Sequence, residues 1–272
     1  MTILAALDDS AAAGPVLDIA GRLGALLEAT VEAVHVAEDG TGQRATAIAE
    51  AAHVPLRLRR GDVGAAVRAE VAERGATVLV IGARAAAAGA SPAGHIALDM
   101  VQSLDCAIVV VPPGAASRPL RRVLVAVEGD GESEGLKGLF DHLGDLATPE
   151  VIAIHVIEPS ALPPFADSPV LEADAFKREF KIRAASSLLP DPSRVRFEMR
   201  VGETARVLSD ATRELDADLL VLAWHRDLSE GHGRQVREML AGALIPIVLL
   251  PLARRGPSSS GAGPTDSPEN GA

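Results

Sequence analysis

An internal duplication constrains the fold of this chain more than any other feature. Residues 3–8 recur 120 positions later as residues 123–128, and residues 31–38 recur at the same offset as residues 151–158. Further blocks match at offsets of 141 and then 139. Ordered blocks at nearly constant spacing indicate a tandem repeat. Each copy is therefore expected to form the same supersecondary unit, and the two copies to pack together.

The changes of offset and the composition set the domain boundaries. The first step in offset places an insertion in the second repeat, near 159–183, between its second and third strands. We predict domain 1 over 1–113, a linker over 114–119 and domain 2 over 120–252. Residues 253–272 are rich in Gly, Pro and Ser, so we expect a disordered tail there.

Short apolar runs alternate with segments of helical periodicity within each repeat. In the first repeat, strands are predicted over 2–7, 30–37, 54–59, 77–82 and 106–112. Mostly apolar strands are typical of parallel sheets that carry helices on both faces. The pattern predicts the α/β class, with two tandem Rossmann-like domains of five parallel strands each.

The candidate site follows from this sheet. In open parallel sheets, ligands bind at the carboxyl ends of the strands, where the strand order reverses. The loops after strands 1 and 4 of each repeat are therefore the expected site. Asp8 follows strand 1 directly. It either holds a ligand there or, together with Asp9 and Ser10, caps the first helix.

Composition excludes several classes of function. A net charge of -11 argues against general binding to nucleic acid, which needs clustered Lys and Arg. The single cysteine, Cys106, excludes a disulfide framework. No apolar run reaches the roughly 20 residues that span a bilayer, and the N-terminus does not resemble a signal peptide. We expect a cytoplasmic protein without a membrane segment.

Metal and catalytic motifs are also missing. The acidic run that starts at Glu128 lacks the glycine and the distal glutamate of a calcium loop, so it favours a solvated turn. His225 and His232 do not have zinc-ligand spacing. Neither a nucleophile elbow nor a Gly-Lys-Ser/Thr phosphate loop occurs. We expect neither a metal site nor a catalytic residue.

Three histidines lie at informative positions. His35 and His155 lie at equivalent places in apolar strands, which favours a structural role over a role as ligands. His95 stands near the predicted start of a helix after strand 4. It either donates to a bound anion or simply begins that helix.

Four motifs together resemble one known family. Strand 1 ends in Leu7-Asp8-Asp9-Ser10, similar to the family's Val-Asp-Gly-Ser, and strand 2 ends in Val34-His35-Val36, like its Val-His-Val. Gly61-Asp62 opens a helix, and a glycine-containing loop runs from Gly82 to Gly94. The chain resembles the universal stress protein family in its tandem two-domain form. That resemblance implies the adenine nucleotide alpha hydrolase-like version of the Rossmann-like fold.

The resemblance also implies a nucleotide site. Nucleotide-binding members carry Gly, two residues, Gly, nine residues, Gly, and then Ser or Thr. Repeat 1 keeps the first and third glycines but has Ala85 and His95 at the other two positions. The implied cofactor is ATP, with Mg²⁺ when ATP binds. The candidate nucleotide-binding residues of repeat 1 are Asp8, Ser10, Val36, Gly82, Gly94, His95 and Ile96. Their degenerate counterparts in repeat 2 are Glu128, Arg226, Gly233 and Arg234.

Three functions are compatible with the resemblance. The first is a non-enzymatic stress-response regulatory protein that binds an adenine nucleotide weakly in repeat 1. The second is a slow ATPase or another nucleotide-dependent enzyme on the same superfold. The third is a nucleotide-free scaffold that binds a protein partner.

Two expectations concern association. The apolar fifth strands, over 106–111 and 245–250, would otherwise be open sheet edges. The family is known for pairing through this strand, so we expect an intramolecular pseudo-dimer in which the short linker closes the two repeats face to face. In the insertion, Phe176 and Phe180 stand four apart on one predicted helix face. The insertion forms either a lid or partner surface, or a helix packed on its own domain.

Overall fold

The computed structural model describes residues 1–37, 42–83, 95–115, 118–127, 149–158, 178, 195–224 and 232–251. At positions 95, 96, 224, 232 and 233 it describes the backbone only. Most of the insertion, the tail and the acidic run that starts at Glu128 lie outside these ranges. The expectations for those segments stay predictions.

The described residues form ten strands and six helices. In repeat 1 the strands are β1 (Thr2–Leu7), β2 (Thr30–Ala37), β3 (Leu56–Arg60), β4 (Val78–Gly82) and β5 (Ala107–Val111). In repeat 2 they are β6 (Arg122–Ala126), β7 (Glu150–Ile157), β8 (Val195–Val201), β9 (Leu219–Trp224) and β10 (Ile247–Pro251). The helices are α1 (Ala13–Leu26), α2 (Gln43–Ala51), α3 (Val63–Arg74), α4 (His95–Ser103), α5 (Thr204–Glu214) and α6 (His232–Gly242).

All ten strands belong to one sheet, in the order β3-β2-β1-β4-β5-β10-β9-β6-β7-β8. Every neighbouring pair is parallel except β5 and β10. The predicted α/β class with a mostly parallel sheet is confirmed. The third strand was expected over 54–59 but begins at Leu56, because Pro55 has no N–H to give to the ladder. The Pro55 carbonyl instead accepts a hydrogen bond from Ala33 N, at 2.8 Å.

The period-two alternation of the strands divides the core into two layers. On one face, Ile3 and Ala5 of β1 pack in the same cluster as α1 and as Val123 and Val125 of β6. On the other face, Leu4 belongs to the cluster that contains residues of α3, α4, α5 and α6. Each cluster includes residues of both repeats, so the hydrophobic core is continuous across the whole sheet.

The two repeats join edge to edge and not face to face as expected. Ile247, Val248 and Leu249 of β10 pair antiparallel with β5, with Val248 opposite Val109. These strands are apolar on both faces, so lateral pairing satisfies their backbone groups while helices still cover their side chains. Strand direction reverses where β5 meets β10, so the strands of the two repeats run in opposite directions. The carboxyl ends of the repeat 1 strands therefore lie beside the amino ends of the repeat 2 strands.

A buried aspartate fixes the start of repeat 2. Asp218 is 7% exposed, and its Oδ2 accepts hydrogen bonds from the backbone N–H groups of Arg121 and Arg122, at 2.7 and 3.0 Å. Its Oδ1 lies 2.7 Å from Nε of Arg118 in the linker. The end of the linker is thereby held against the loop that precedes β9.

At one position on α3, repeat 1 has a buried carboxylate where repeat 2 has an alanine. The Glu70 side chain on α3 is fully buried, and it meets Arg57 and Arg59 of the edge strand β3 and Arg74 of its own helix. Arg59 Nε donates to Glu70 Oε2 at 2.7 Å, and this hydrogen bond together with the charge of Glu70 raises the pKa of Arg59. Ala211, also fully buried, occupies the equivalent place in repeat 2.

Candidate functional site

The strand order places the candidate site of repeat 1 between β1 and β4. The chain moves from β1 outward to β2 and β3, and then returns to the other side of β1 to form β4 and β5. Crossover connections therefore leave β1 and β4 in opposite directions, and a crevice opens beyond their carboxyl ends. Asp8 follows β1 directly and Gly82 ends β4, so both lie at this crevice.

The loop after β1 folds onto itself through Asp8. Asp8 Oδ1 accepts hydrogen bonds from Ser10 N at 3.1 Å and from Ser10 Oγ at 2.6 Å. Ser10 Oγ in turn accepts from Ala12 N at 3.0 Å. Asp8 is half-buried, whereas Ser10 is exposed. Aspartate side chains favour such local turns because the carboxylate satisfies N–H groups two residues ahead.

Asp9 does not cap the first helix, which was one of the two alternatives for this loop. The sequence allowed Asp8, Asp9 and Ser10 to cap the first helix, but α1 begins with Ala12 as its N-cap and has no side-chain cap. Asp9 Oδ1 instead accepts from Ala45 N, in the first turn of α2, at 3.1 Å. The N-cap position of α2 is Gly42, which has no side chain to offer. Asp9 thus supplies the missing capping oxygen from another loop.

Two equivalent histidines contact the ends of equivalent strands. His35 Nδ1 lies 2.9 Å from the carbonyl oxygen of Leu7, the last residue of β1. His155 Nδ1 lies 2.8 Å from the carbonyl oxygen of Val127, which follows β6. His35 is 5% exposed and His155 is half-buried. These contacts support the structural role that the sequence favoured for both residues.

The remaining candidates of repeat 1 are only partly placed. Val36 lies in β2 and is half-buried. His95 and Ile96 are the first two residues of α4, so the predicted helix start is found there. Gly94 lies outside the described residues.

Gly82 has no strong structural reason to be glycine. A Cβ added there would meet Ala12 Cβ and Val16 Cγ2 at 3.4 Å, which is ordinary van der Waals contact. The position therefore leaves room for a ligand role, in which the backbone N–H approaches an anion.

The candidates of repeat 2 are also only partly placed. Glu128 and Arg226 lie outside the described residues. Gly233 is the second residue of α6, which agrees with its expected place at a helix start. The Arg234 side chain is 69% exposed and lies 3.8 Å from Glu238 on its own helix. An exposed pair of this kind contributes little to stability or to orientation.

A carboxylate that was not among the predicted site residues lies at the carboxyl end of β7 in repeat 2. Glu158 follows β7 directly, and its Oε1 accepts from Thr204 Oγ1 at 2.9 Å and from Gln235 Nε2 at 2.7 Å. Thr204 begins α5, and Gln235 lies in the first turn of α6. Glu158 therefore links the N-terminal turns of two helices. Its only sequence signal is its place at the end of the repeated block over 151–158.

Within the part of the chain that the structure describes, His, Cys, Asp and Glu side chains form no group of three that could hold a metal ion. Among the helices in the described ranges, none combines the length and the apolar character that crossing a membrane requires.

Comparison with known proteins decides the family. The model of the universal stress protein family matches residues 119–257, which is more than half of the chain. The chain belongs to the universal stress protein family. The match covers repeat 2 and the first few residues after it.

Solved structures agree in fold over nearly the whole length. A protein of unknown function from Pseudomonas aeruginosa PAO1 is similar with a TM-score of 0.67 at 12% identity, over 92% of both chains. A universal stress protein from Archaeoglobus fulgidus DSM 4304 is similar with a TM-score of 0.59 at 13% identity, over 92% of this chain and 96% of its own. The search of curated proteins finds no match.

Proposed function

We propose that this chain is a non-enzymatic, cytoplasmic regulatory member of the universal stress protein family that binds an adenine nucleotide weakly in repeat 1. The position of Asp8 carries the proposal. Asp8 lies at the carboxyl end of β1, beside the end of β4, where parallel sheets of this order bind their ligands. A half-buried carboxylate at this place suits the hydroxyl groups of a ribose.

The phosphate end of the proposed site lies at α4. This helix begins at His95, directly after the glycine-containing loop, and helix N-termini favour anions. The second glycine and the hydroxyl residue of the family motif are replaced by Ala85 and His95. Each replacement is expected to cost about 1 kcal/mol, which is the size of one average hydrogen bond. We therefore expect ATP affinity roughly ten- to a hundredfold weaker than an intact motif would give.

Repeat 2 is proposed not to bind the nucleotide. Glu158 brings a carboxylate to the N-terminal turns of α5 and α6, the surroundings in which a phosphate would otherwise be favoured. A second negative group close to it would be repelled, and the hydrogen bonds of Thr204 and Gln235 are already used. The acidic residues that follow Glu128 in the sequence add to this repulsion.

We further propose that residues 1–113 and 120–252 are two domains that form an intramolecular pseudo-dimer. The antiparallel pairing of β5 with β10 supports this division. So do the duplicated strand orders on either side of that seam.

Isothermal titration of Mg-ATP into the full chain tests the nucleotide proposal. Wild type is expected to bind one ATP, Asp8→Ala to lose at least tenfold in affinity, and Glu128→Ala to bind like wild type. Asp18→Ala is the control and should bind like wild type, because Asp18 pairs with Arg22 on α1 and lies outside the turn that carries Asp8. Loss of binding only in Glu128→Ala would overturn the assignment to repeat 1. No heat at millimolar ATP would favour the nucleotide-free scaffold.

A further inference from the structure

The same side-chain contact occurs once in each repeat, at the end of the strand that leads into each candidate site. His35 Nδ1 meets the Leu7 carbonyl, and His155 Nδ1 meets the Val127 carbonyl. The next residues along the chain are Asp8 and Glu128. We infer that both histidines are positioning residues that fix the strand end carrying the site carboxylate. For ligand binding this inference rests on the proposed function of repeat 1.

The geometry defines the form of the imidazole at His35. A carbonyl oxygen can only accept a hydrogen bond, so Nδ1 must carry the hydrogen and donate it. His35 Nε2 is buried and has no hydrogen-bond partner among the described residues. A second hydrogen on Nε2 would bury an unpaired donor. The structure therefore assigns the neutral form with the hydrogen on Nδ1.

The contact lies at the end of β1, at the last residue that pairs with β2. Leu7 is opposite His35 in the register of β1 and β2, and it is the last residue of β1. Beyond it the chain leaves the sheet and turns through Asp8 to Ser10. Leu7 is 4% exposed, so its carbonyl needs a partner inside the protein. The imidazole supplies that partner from β2, which fixes the direction in which the turn begins.

The backbone amide of Ala45 reports on the position of the turn after β1. Ala45 N donates to Asp9 Oδ1, so the amide of Ala45 stays protected only while the turn keeps its position against α2. Ala45 is fully buried, so its amide exchanges only when this segment opens, and loss of that hydrogen bond lowers the free energy of opening.

Two amide variants test the positioning role. In His35→Asn the side-chain NH₂ takes the place of Nδ1, so the donor is kept. In His35→Gln it lies one bond further out, so the donor is misplaced. Two-bond ¹H–¹⁵N spectra of the wild-type chain should show hydrogen on Nδ1 and none on Nε2 of His35. Hydrogen exchange at Ala45 should stay near wild type in His35→Asn. It should rise about fivefold in His35→Gln, as loss of one average hydrogen bond predicts.

His155→Asn and His155→Gln are the matched controls and should leave exchange at Ala45 unchanged. Hydrogen on Nε2 in wild type would overturn the inference, and so would equal exchange in the two His35 variants. If wild type binds ATP, His35→Gln should weaken binding about fivefold while His35→Asn should not. If wild type does not bind ATP, the proposed function fails, and the tautomer and the exchange rates still decide the positioning role.

Discussion

The two halves of the sheet share a framework and differ in their polar residues. Both place their strands in the same order, and both tie the end of their first strand to a histidine on the second. In repeat 1 the carboxyl edge carries a turn centred on Asp8, and a buried Glu70 joins α3 to β3. In repeat 2 Glu158 accepts hydrogen bonds from the first turns of α5 and α6, and Ala211 stands at the position of Glu70.

This difference shows which constraints duplication preserves. Strand order, apolar alternation and the strand-end hydrogen bond serve the sheet, so a change in any of them would disturb one continuous core. Polar residues at the carboxyl edge serve only their own half. They can therefore differ between the halves without disturbing the continuous core, and this difference is the basis for proposing a ligand in repeat 1 only.

Separating the halves should have the largest effect, because it tests whether either half is complete alone. Expressed as residues 1–113, repeat 1 would expose the whole apolar edge of β5, including Ile108, Val109 and Val110. We expect it to self-associate or aggregate, as measured by light scattering. Co-expression with residues 120–252 is the control and should give a soluble one-to-one complex. A stable, soluble monomer of 1–113 would contradict the pseudo-dimer.

Exchanging the residues at two equivalent buried positions, Glu70 on α3 and Ala211 on α5, tests how a buried carboxylate affects stability in each repeat. Ala211→Glu places a carboxylate in a fully buried site built for a methyl group, so we expect a loss of at least about 3 kcal/mol in the free energy of unfolding. Glu70→Ala leaves arginines without their buried partner. It should cost about 2 kcal/mol, because Arg57 and Arg59 keep partial contact with water. Urea unfolding monitored by circular dichroism measures both losses.

The controls for this exchange are the exposed acids at equivalent places. Glu73 pairs with Arg59, and Glu214 pairs with Arg200. Glu73→Ala and Glu214→Ala should each change the unfolding free energy by less than about 1 kcal/mol. Equal losses in Glu70→Ala and Glu73→Ala would show that burial of Glu70 is not what matters.

Gly42→Ala tests how closely Gly42 packs against His35, the more deeply buried of the two equivalent histidines. Gly42 has φ +63°, and an added Cβ would lie 2.7 Å from His35 Cδ2. Both backbone strain and this clash should destabilise the variant, by about 2 kcal/mol in total. Gly75→Ala is the control for strain alone, because Gly75 has φ +57° with open space around it. We expect about 1 kcal/mol there. Thermal unfolding that ranks the two variants equally would exclude the contact with His35.

The smallest expected difference concerns the caps of α3 and α5. Asp62 Oδ1 accepts from Ala65 N at 2.7 Å, whereas Glu203, at the same place in repeat 2, makes no side-chain cap. Asp62→Ala should therefore lower the unfolding free energy by about 1 kcal/mol, and Glu203→Ala should leave it nearly unchanged. Comparison of urea midpoints checks this. A larger loss in Glu203→Ala would contradict the assignment of the caps.

Periodicity and repetition predicted the framework well because both are visible in the order of residues along the chain, without any knowledge of tertiary contacts. The predicted strand over 30–37 coincides with β2, and Gly61-Asp62 marks the start of α3 with Asp62 as its cap. Contacts between distant segments could not be predicted in this way. In one of the two interpretations of the loop after strand 1, Asp9 helped to cap α1. It caps α2 instead, and only the folded chain brings Asp9 beside Ala45. Glu158 was not predicted as a site residue for the same reason, because its partners lie on helices far along the sequence.

By itself, the sequence determined the α/β class, the family and the duplicated pattern of strands, and it predicted a site in the loop after the first strand. These follow from apolar spacing and short motifs, which act over a few residues. Pairing through the fifth strands was expected, but only the tertiary structure decided that they pair antiparallel within one sheet, so that the strands of the two repeats run in opposite directions. Apolar strands fit equally well in the middle of a sheet or between two sheets. The choice depends on hydrogen bonds and helix packing between segments far apart in the chain.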